Sequence, residues 1–267
     1  MDSTSPLLDL REITVRFGGI QALDQVGLTV GHGETVGLIG PNGAGKTTLF
    51  DVISGVRRPN GGTVLLDGGD VTRLSETARA RRGVRRTFQR VQTFGWLSVE
   101  DNVLVPLDGR RGGGGFAGDV LSLPGRRKRE QQRRALVAEV LERCGLAAYA
   151  GEQASSLPIG IARMVELARA IAEPPRLLLL DEPASGLDDG EATVLAALLA
   201  DLRATSGCSV LLVEHDTDFV MRHSDRIVVL HQGSVLAEGT PARIQAEPSV
   251  RAAYLGGAPD RDGARSA

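Results

Sequence analysis

Residues 40–48, Gly-Pro-Asn-Gly-Ala-Gly-Lys-Thr-Thr, constrain this chain more than any other feature of its sequence. The stretch fits the pattern G-x-x-x-x-G-K-[ST], in which glycines let backbone N–H groups turn inward around a phosphate. Lys46 supplies a compact positive charge for the β- and γ-phosphates, and Thr47 offers a hydroxyl to Mg²⁺. A strand is predicted over residues 34–39 and a helix over residues 46–53, which is the context that such a loop requires. The sequence therefore predicts a loop that binds Mg-ATP through Gly40, Pro41, Asn42, Gly43, Ala44, Gly45, Lys46, Thr47 and Thr48.

Two carboxylates follow the apolar run at residues 177–180. In an open parallel sheet the carboxyl ends of the strands face the ligand crevice. Asp181 is then placed to hold the water shell of the magnesium ion, and Glu182 to polarise the attacking water. An acidic pair alone would more often cap a helix, but a phosphate loop in the same chain favours the catalytic interpretation.

Composition excludes several other classes of protein. A formal net charge of −2 argues against a dedicated nucleic-acid binder, so no nucleic-acid partner is expected. Cys144 and Cys208 stand far apart and imply neither a disulfide framework nor a zinc site. The first residues lack the pattern of a secretory signal, and no apolar stretch reaches the length of a membrane helix. A cytoplasmic location is expected, with any membrane role exercised through partners.

The hydrophobic pattern predicts an α/β core interrupted by a mainly helical segment at about residues 98–172. Strands are predicted at residues 8–17, 23–30, 34–39, within 60–70, and at 85–88, 176–180, 209–213 and 226–230. Helices are predicted at residues 46–53, 99–104, 128–144, 161–172 and 191–203, and in a tail at 241–247 and 249–255. Residues 109–118 are glycine-rich and predict a surface loop.

Together these motifs make the chain resemble the ATP-binding subunits of ABC transporters, almost from end to end. The resemblance implies one ABC ATPase domain over residues 1–256, with a disordered tail at 257–267. The implied fold class is α/β: a P-loop NTPase core with an antiparallel β subdomain and a helical signature subdomain. Such subunits work as head-to-tail dimers with ATP at the interface.

Further residues take their roles from this resemblance. Phe17 matches the aromatic residue that stacks on adenine, and Gln89 of Thr-Phe-Gln matches the Q-loop glutamine that contacts magnesium and senses the transport domain. His215 matches the switch histidine near the γ-phosphate, and residues 185–188 match the D-loop. The implied catalytic residues are Glu182, His215 and Gln89, and the implied magnesium ligands are Thr47, Gln89 and Asp181.

The signature motif departs from the family. It normally reads Leu-Ser-Gly-Gly-Gln, but residues 157–161 read Leu-Pro-Ile-Gly-Ile. Pro158 is tolerated at a helix start, so the helix should form. The lost serine hydroxyl would donate to the γ-phosphate held by the other subunit, a bond worth roughly 1.5–3 kcal/mol. We therefore expect a heterodimer with one strong and one weakened ATP site.

Residues 15–23 resemble the start of ATPases serving branched-chain amino acid importers and their urea and amide relatives, as do residues 214–216 and 251–256. That resemblance implies a second ATPase subunit, two membrane permeases and a periplasmic or extracellular binding protein, with the chain on the inner face of the cell membrane. Arginines 81, 82, 85 and 86 precede the Q-loop, where a permease docks; they are either interface or plain surface. A lipid or lipopolysaccharide export ATPase, a non-transport ABC ATPase and a regulatory module that binds ATP without hydrolysing it remain alternatives.

Overall fold

The computed structural model describes residues 5–87, 91–108 and 124–255, which divide into two units. The first unit takes in Met1–Arg81 and Val210–Ala267, and the second takes in Arg82–Ser209. The strands of the first unit are β1 (Leu8–Phe17), β2 (Ile20–Val30), β3 (Thr35–Ile39), β4 (Gly61–Leu66), β5 (Gly69–Asp70), β8 (Ser209–Val213, from its second residue), β9 (Arg226–His231) and β10 (Ser234–Gly239). Its helices are α1 (Lys46–Ser54), α2 (Glu76–Ala80), α7 (Thr217–His223), α8 (Pro241–Ala246) and α9 (Pro248–Leu255).

An antiparallel sheet with the strand order β2-β1-β4-β5 forms one part of the first unit. The hairpin of β1 and β2 runs from the pair Leu8 and Val30 to the pair Phe17 and Ile20. Apolar residues on one face of β1 are buried, because successive side chains of a strand point to opposite faces. The alternation is interrupted between Leu10 and Ile13, where the pairing with β2 shifts in register. The aromatic residue expected to stack on adenine therefore lies at the end of the first strand.

Parallel strands form the other part of this unit. β3 pairs in parallel with β8 on one side and with β9 on the other, and β10 is antiparallel to β9. Every residue of β3 and of β8 is buried, as expected for parallel strands covered on both faces. The loop at residues 40–45 leaves the carboxyl end of β3 and enters α1, the strand–loop–helix order that the sequence predicts.

A buried arginine from a later part of the chain, Arg79, contacts the carboxyl end of α1. The Arg79 guanidinium donates hydrogen bonds to the carbonyl oxygens of Val52 and Ile53, at 2.6 and 2.8 Å, and to that of Thr72 at 3.1 Å. The last carbonyl groups of a helix lack intrahelical partners, so this side chain satisfies two of them. Burial lowers the pKa of Arg79 to about 10, which leaves it charged at neutral pH.

The second unit has two parallel strands and four α-helices among its described residues, 82–87, 91–108 and 124–209. They are β6 (Val84–Arg86), β7 (Leu177–Asp181), α3 (Val99–Asp108), α4 (Pro124–Arg143), α5 (Ile159–Ile171) and α6 (Asp189–Ser206). Helix α3 packs against both α4 and α5. Helix α6 begins with a capping box, in which Asp188 accepts from the N–H of Glu191 and Glu191 accepts from the N–H of Asp188.

Most element types and bounds agree with the sequence predictions to within a few residues, but four short elements were missed. These are β5, β10, α2 and α7, which have two, six, five and seven residues. The glycine-rich loop and the tail at 257–267 lie outside the described residues. The single domain with a helical insertion at residues 98–172 stays a prediction, although α3, α4 and α5 all lie within those bounds.

Cys144 and Cys208 are both free and buried, and burial raises the pKa of both thiols to about 12. Within the part of the chain that the structure describes, no helix combines the length and the apolar character needed to cross a bilayer.

Replacing Arg79 with Met should lower the free energy of unfolding by about 2–4 kcal/mol, because two helix-end carbonyls lose a buried charged donor. Urea denaturation followed by circular dichroism measures the change. Arg73→Met is the control, since Arg73 is exposed and lies on the same connection between β5 and α2. Equal effects of the two substitutions would contradict a capping role for Arg79.

Candidate functional site

Close backbone contacts hold the phosphate loop at residues 40–48 against neighbouring strands. A Cβ at Gly40 would lie 2.2 Å from the carbonyl oxygen of Leu230 in β9, and one at Gly45 would lie 2.7 Å from that of Ala22 in β2. Gly45 also has a φ of 106°, which side-chain-bearing residues rarely adopt. The N–H of Gly233 donates to the carbonyl oxygen of Ala44 at 3.0 Å. The course of the loop is therefore fixed by main-chain contacts at both ends.

Lys46 folds over the loop that precedes it. Its ammonium group donates to the carbonyl oxygens of Gly40 at 2.6 Å and of Pro41 at 3.2 Å, and the residue is 8% exposed. No side chain caps the start of α1, so its first N–H groups are not taken by a capping residue. A fixed ammonium group beside the first turn of a helix is suited to bind phosphate.

The oxygen donors expected for magnesium differ in their surroundings. Thr47 is exposed in the first turn of α1, and Asp181 ends β7 with 4% of its surface exposed. Gln89 lies outside the described residues. Among the residues that the structure does describe, no three His, Cys, Asp or Glu side chains cluster to hold a metal ion. The Thr47 hydroxyl and the Asp181 carboxylate are each an oxygen donor of the kind that Mg²⁺ binds, and this ion usually takes several ligands from substrate phosphates and water.

An arginine from β6 contacts the carboxylate of Asp181. Arg86 Nη2 lies 3.3 Å from Asp181 Oδ2, and both side chains are less than 10% exposed. The Asp181 N–H donates to Thr87 Oγ1 at 3.4 Å. The plain-surface alternative for the arginines before the Q-loop is therefore wrong for Arg86, because the parallel pairing of β6 with β7 buries it beside the acidic pair. Arg85 also forms an ion pair, in which its Nη2 lies 2.8 Å from Glu173 Oε2.

Glu182 has an unusual main chain. Its φ is +53°, in the left-handed region that residues other than glycine rarely occupy. The guanidinium of Arg163, from α5, donates to the carbonyl oxygen of Glu182. Residues held in such conformations concentrate at functional sites. The residue predicted to polarise the attacking water is thus held in its position by a neighbouring side chain.

Phe17, the predicted adenine platform, is 42% exposed at the end of β1. The guanidinium carbon of Arg57 lies 4.1 Å from the centre of its ring, a cation–π contact. The sequence predicted the aromatic residue but not its arginine neighbour, which is forty residues away along the chain. Part of the ring surface stays accessible for a planar ligand.

His215, the predicted switch residue, is exposed two residues beyond the end of β8. Its N–H donates to the carboxylate of Glu214 at 3.1 Å. Asp216 caps α7 by accepting from the N–H groups of Asp218 and Phe219. Asp216 therefore has a structural role as a helix cap, whereas the His215 imidazole is accessible to solvent or ligand.

The altered signature forms a helix, as predicted. Pro158 takes the N-cap position with φ −53° and ψ 152°, and α5 follows it without a side-chain cap. Ile159 is 59% exposed and Gly160 is buried. A Cβ at Gly160 would lie 2.3 Å from Glu191 Oε2, so the capping box of α6 fills the space beside this glycine. The proline thus preserves the helix and its glycine while removing the serine hydroxyl.

Comparison with known sequences assigns the family. The model of the ABC transporter family matches residues 23–185, and that of the branched-chain amino acid ATP-binding cassette transporter matches residues 234–260. LivG of Escherichia coli K12, a high-affinity branched-chain amino acid transport ATP-binding protein, is 43% identical over 253 residues. The alignment covers 95% of this chain and 99% of LivG. The chain belongs to the ABC transporter ATP-binding family.

Solved structures agree with this assignment. The crystal structure of an ATP-binding cassette of an ABC transporter in its ADP conformation has a TM-score of 0.81 and 28% identity, over 95% of this chain and 100% of that one. A dimeric, post-hydrolysis cassette bound to ADP and Pi has a TM-score of 0.75 and 27% identity, over 88% and 98%. The predicted fold class and the prediction of a transporter ATPase are confirmed.

Gly45→Ala should weaken ATP binding at least about tenfold, because the added methyl group meets the main chain at Ala22 and the backbone conformation is strained. Equilibrium titration with a fluorescent ATP analogue measures the affinity. Gly19→Ala is the matched control, since nothing lies within 4 Å of its Cβ position. Equal affinities of the two variants would contradict the fixed course of the loop.

Proposed function

We propose that this chain is an ATPase subunit of an importer for branched-chain amino acids. It would act on the inner face of the cell membrane with a second ATPase subunit, two permeases and a periplasmic or extracellular binding protein. The observation that carries the proposal is the double match to branched-chain amino acid ATPases, at residues 234–260 and over almost the whole of LivG. Neither a lipid export ATPase nor a non-transport ABC ATPase is favoured by these matches.

In this proposal the first unit binds the nucleotide. Adenine stacks on Phe17, and the amides of residues 40–48 surround the phosphates. Lys46 exchanges its bonds with the loop carbonyls for bonds with the β- and γ-phosphates. His215 contacts the γ-phosphate. The exposed Phe17 ring and the fixed Lys46 ammonium group support these assignments.

The acidic pair performs the chemistry. Thr47, Asp181 and Gln89 would hold Mg²⁺, which when bound would neutralise charge on the phosphates. For Asp181 this means sharing or giving up its contact with Arg86. Glu182 orients and deprotonates the water that attacks the γ-phosphorus. Its half-buried side chain and constrained main chain support a role that demands orientation.

The dimer is proposed to be asymmetric. The nucleotide bound by the phosphate loop, acidic pair and histidine of this chain is contacted by the signature of the partner. The signature of this chain, with Pro158, contacts the nucleotide bound by the partner. Backbone amides at the start of α5 can still face a phosphate, but no hydroxyl stands at position 158. The nucleotide bound to the partner is therefore held more weakly than the one bound here.

A cavity in the second unit is the proposed docking place of a permease. It has a volume of about 170 Å³, and its lining includes Arg85, Gln92, Pro106 and Arg169. Arg169 stacks on Phe94 with 4.7 Å to the ring centre, and Phe94 contacts Trp96, which is 75% exposed. Trp96 is thus connected through Phe94 to a residue that lines the cavity, and large exposed aromatic residues and arginines are enriched among the anchors of protein interfaces.

Glu182→Gln should reduce ATP turnover by about 10²–10⁴-fold while retaining ATP binding, because the amide cannot accept the proton of the attacking water. Steady-state phosphate release and titration with a fluorescent ATP analogue measure the two quantities on the complex with its partner. Size-exclusion chromatography should show the variant enriched in the ATP-bound dimer. Normal hydrolysis by Glu182→Gln would exclude Glu182 as the base.

The same substitution tests the cargo. In cells lacking the chromosomal copy of this gene, a plasmid copy should restore uptake of labelled leucine, isoleucine and valine, and the Glu182→Gln copy should not. Unchanged uptake of these amino acids after gene deletion would contradict the proposed importer. A defect confined to lipopolysaccharide export would favour the first alternative.

Trp96→Ala should weaken association with the permeases by about 2 kcal/mol, about thirtyfold, if Trp96 is an anchor. The measurement is the amount of permease that co-purifies from detergent with the tagged ATPase. Leu136→Ala is the control, because Leu136 is an apolar residue of the same unit that is 40% exposed. Permease recovery equal to that of the control would place the docking surface elsewhere.

A further inference from the structure

The contact between Arg163 and the main chain of Glu182 links the helix of the signature motif to the acidic pair. Arg163 lies on the second turn of α5, beyond the five residues of the signature. Its Nη1 donates to the carbonyl oxygen of Glu182, nineteen residues further along the chain. Arg163 and Glu182 both belong to the second unit.

The acceptor is a peptide group in an unfavourable conformation. At φ +53° the main chain of Glu182 is strained, and such conformations persist only when the surroundings enforce them. A charged donor on the carbonyl oxygen fixes the plane of the peptide bond between Glu182 and Pro183. The position of that plane in turn helps to set the direction in which the Glu182 side chain leaves the backbone.

Arg163 also lies beside the rest of the acidic pair. It lines a small cavity together with Thr87, Asp181 and Pro183. The Arg163 side chain is only partly exposed, and its Nε is buried without a hydrogen-bond partner. The guanidinium group of arginine carries five N–H donors in a rigid, planar arrangement. Because Arg163 donates to a neutral carbonyl group and not to a carboxylate, the contact fixes the position of the main chain and neutralises no negative charge.

We propose that Arg163 is a positioning residue for the general base: by holding the main-chain carbonyl of Glu182, it orients the Glu182 carboxylate toward the attacking water. This inference rests on the proposed function, because it presumes that Glu182 is the base. Arg163 itself contacts neither nucleotide nor metal in this role. A displaced base costs turnover without weakening the binding of ATP.

The test compares three variants of the full chain in complex with its ATPase partner: Arg163→Met, Arg163→Lys and Arg143→Met. Arg163→Met should lower kcat about 10- to 100-fold and leave KM and the affinity for a fluorescent ATP analogue within twofold. Arg163→Lys should recover part of kcat, since lysine keeps one charged donor. Arg143→Met is the matched control, because it removes a partly buried arginine that pairs with Asp201 in the same unit.

A second measurement separates orientation of the base from general stability. In a Glu182→Gln background the residual turnover no longer uses a carboxylate, so adding Arg163→Met should change it less than twofold. An additional tenfold loss in that background, a kcat for Arg163→Met equal to the control, or a parallel loss of ATP affinity would each overturn the inference. If Arg163→Met does not fold, Arg163→Gln, whose amide retains one donor, takes its place in both arms.

The two proposals fail differently. Normal hydrolysis by Glu182→Gln would remove the proposed base and this inference with it. A severe defect in Glu182→Gln combined with normal kcat in Arg163→Met would remove this inference alone.

Discussion

Main-chain contact at two glycines is the constraint on which the nucleotide site depends. Gly40 and Gly45 bring the phosphate loop so close to Leu230 and Ala22 that no side chain fits between them. The loop is consequently packed against strands of the first unit, and the Lys46 ammonium group donates to the carbonyl groups of Gly40 and Pro41. Amides that are already in place need little reorganisation when a phosphate arrives, and the Lys46 ammonium group has only to exchange its carbonyl acceptors for phosphate oxygens.

In the second unit, two arginines contact the acidic pair. Arg86 contacts the carboxylate of Asp181, whereas Arg163 bonds to the main chain of Glu182. In the function proposed above, the former interaction would change the charge that a metal ion meets, and the latter would orient the Glu182 side chain. Both arginines contact the acidic pair within the second unit, where our proposal places the catalytic carboxylates.

Local patterns were sufficient to predict most of the fold. Strand alternation, the glycine loop and the apolar run before Asp181 each depend on neighbouring residues, and the structure has the expected elements there. The proline in the signature was also correctly predicted to allow a helix, since a helix start requires no N–H from its first residues. The short elements were missed because two to seven residues carry too little periodic signal.

The supporting contacts could not be predicted, because each joins residues that are distant in sequence. Arg79 reaches back 26 and 27 residues to the end of α1, and Arg86 reaches 95 residues forward to Asp181. With nearly all positive charge supplied by arginine, the sequence offers many equivalent candidates for each role. Only the pairing of strands and helices in space shows which arginine meets which carbonyl or carboxylate.

Equilibrium binding of Mg-ATP to the purified chain, measured beside Lys46→Ala, tests the central claim most directly. The account predicts saturable binding by the native chain and an affinity at least about tenfold weaker in the variant, because one charged phosphate contact is lost. Absence of saturable binding by the native chain, or the same affinity in Lys46→Ala, would contradict it.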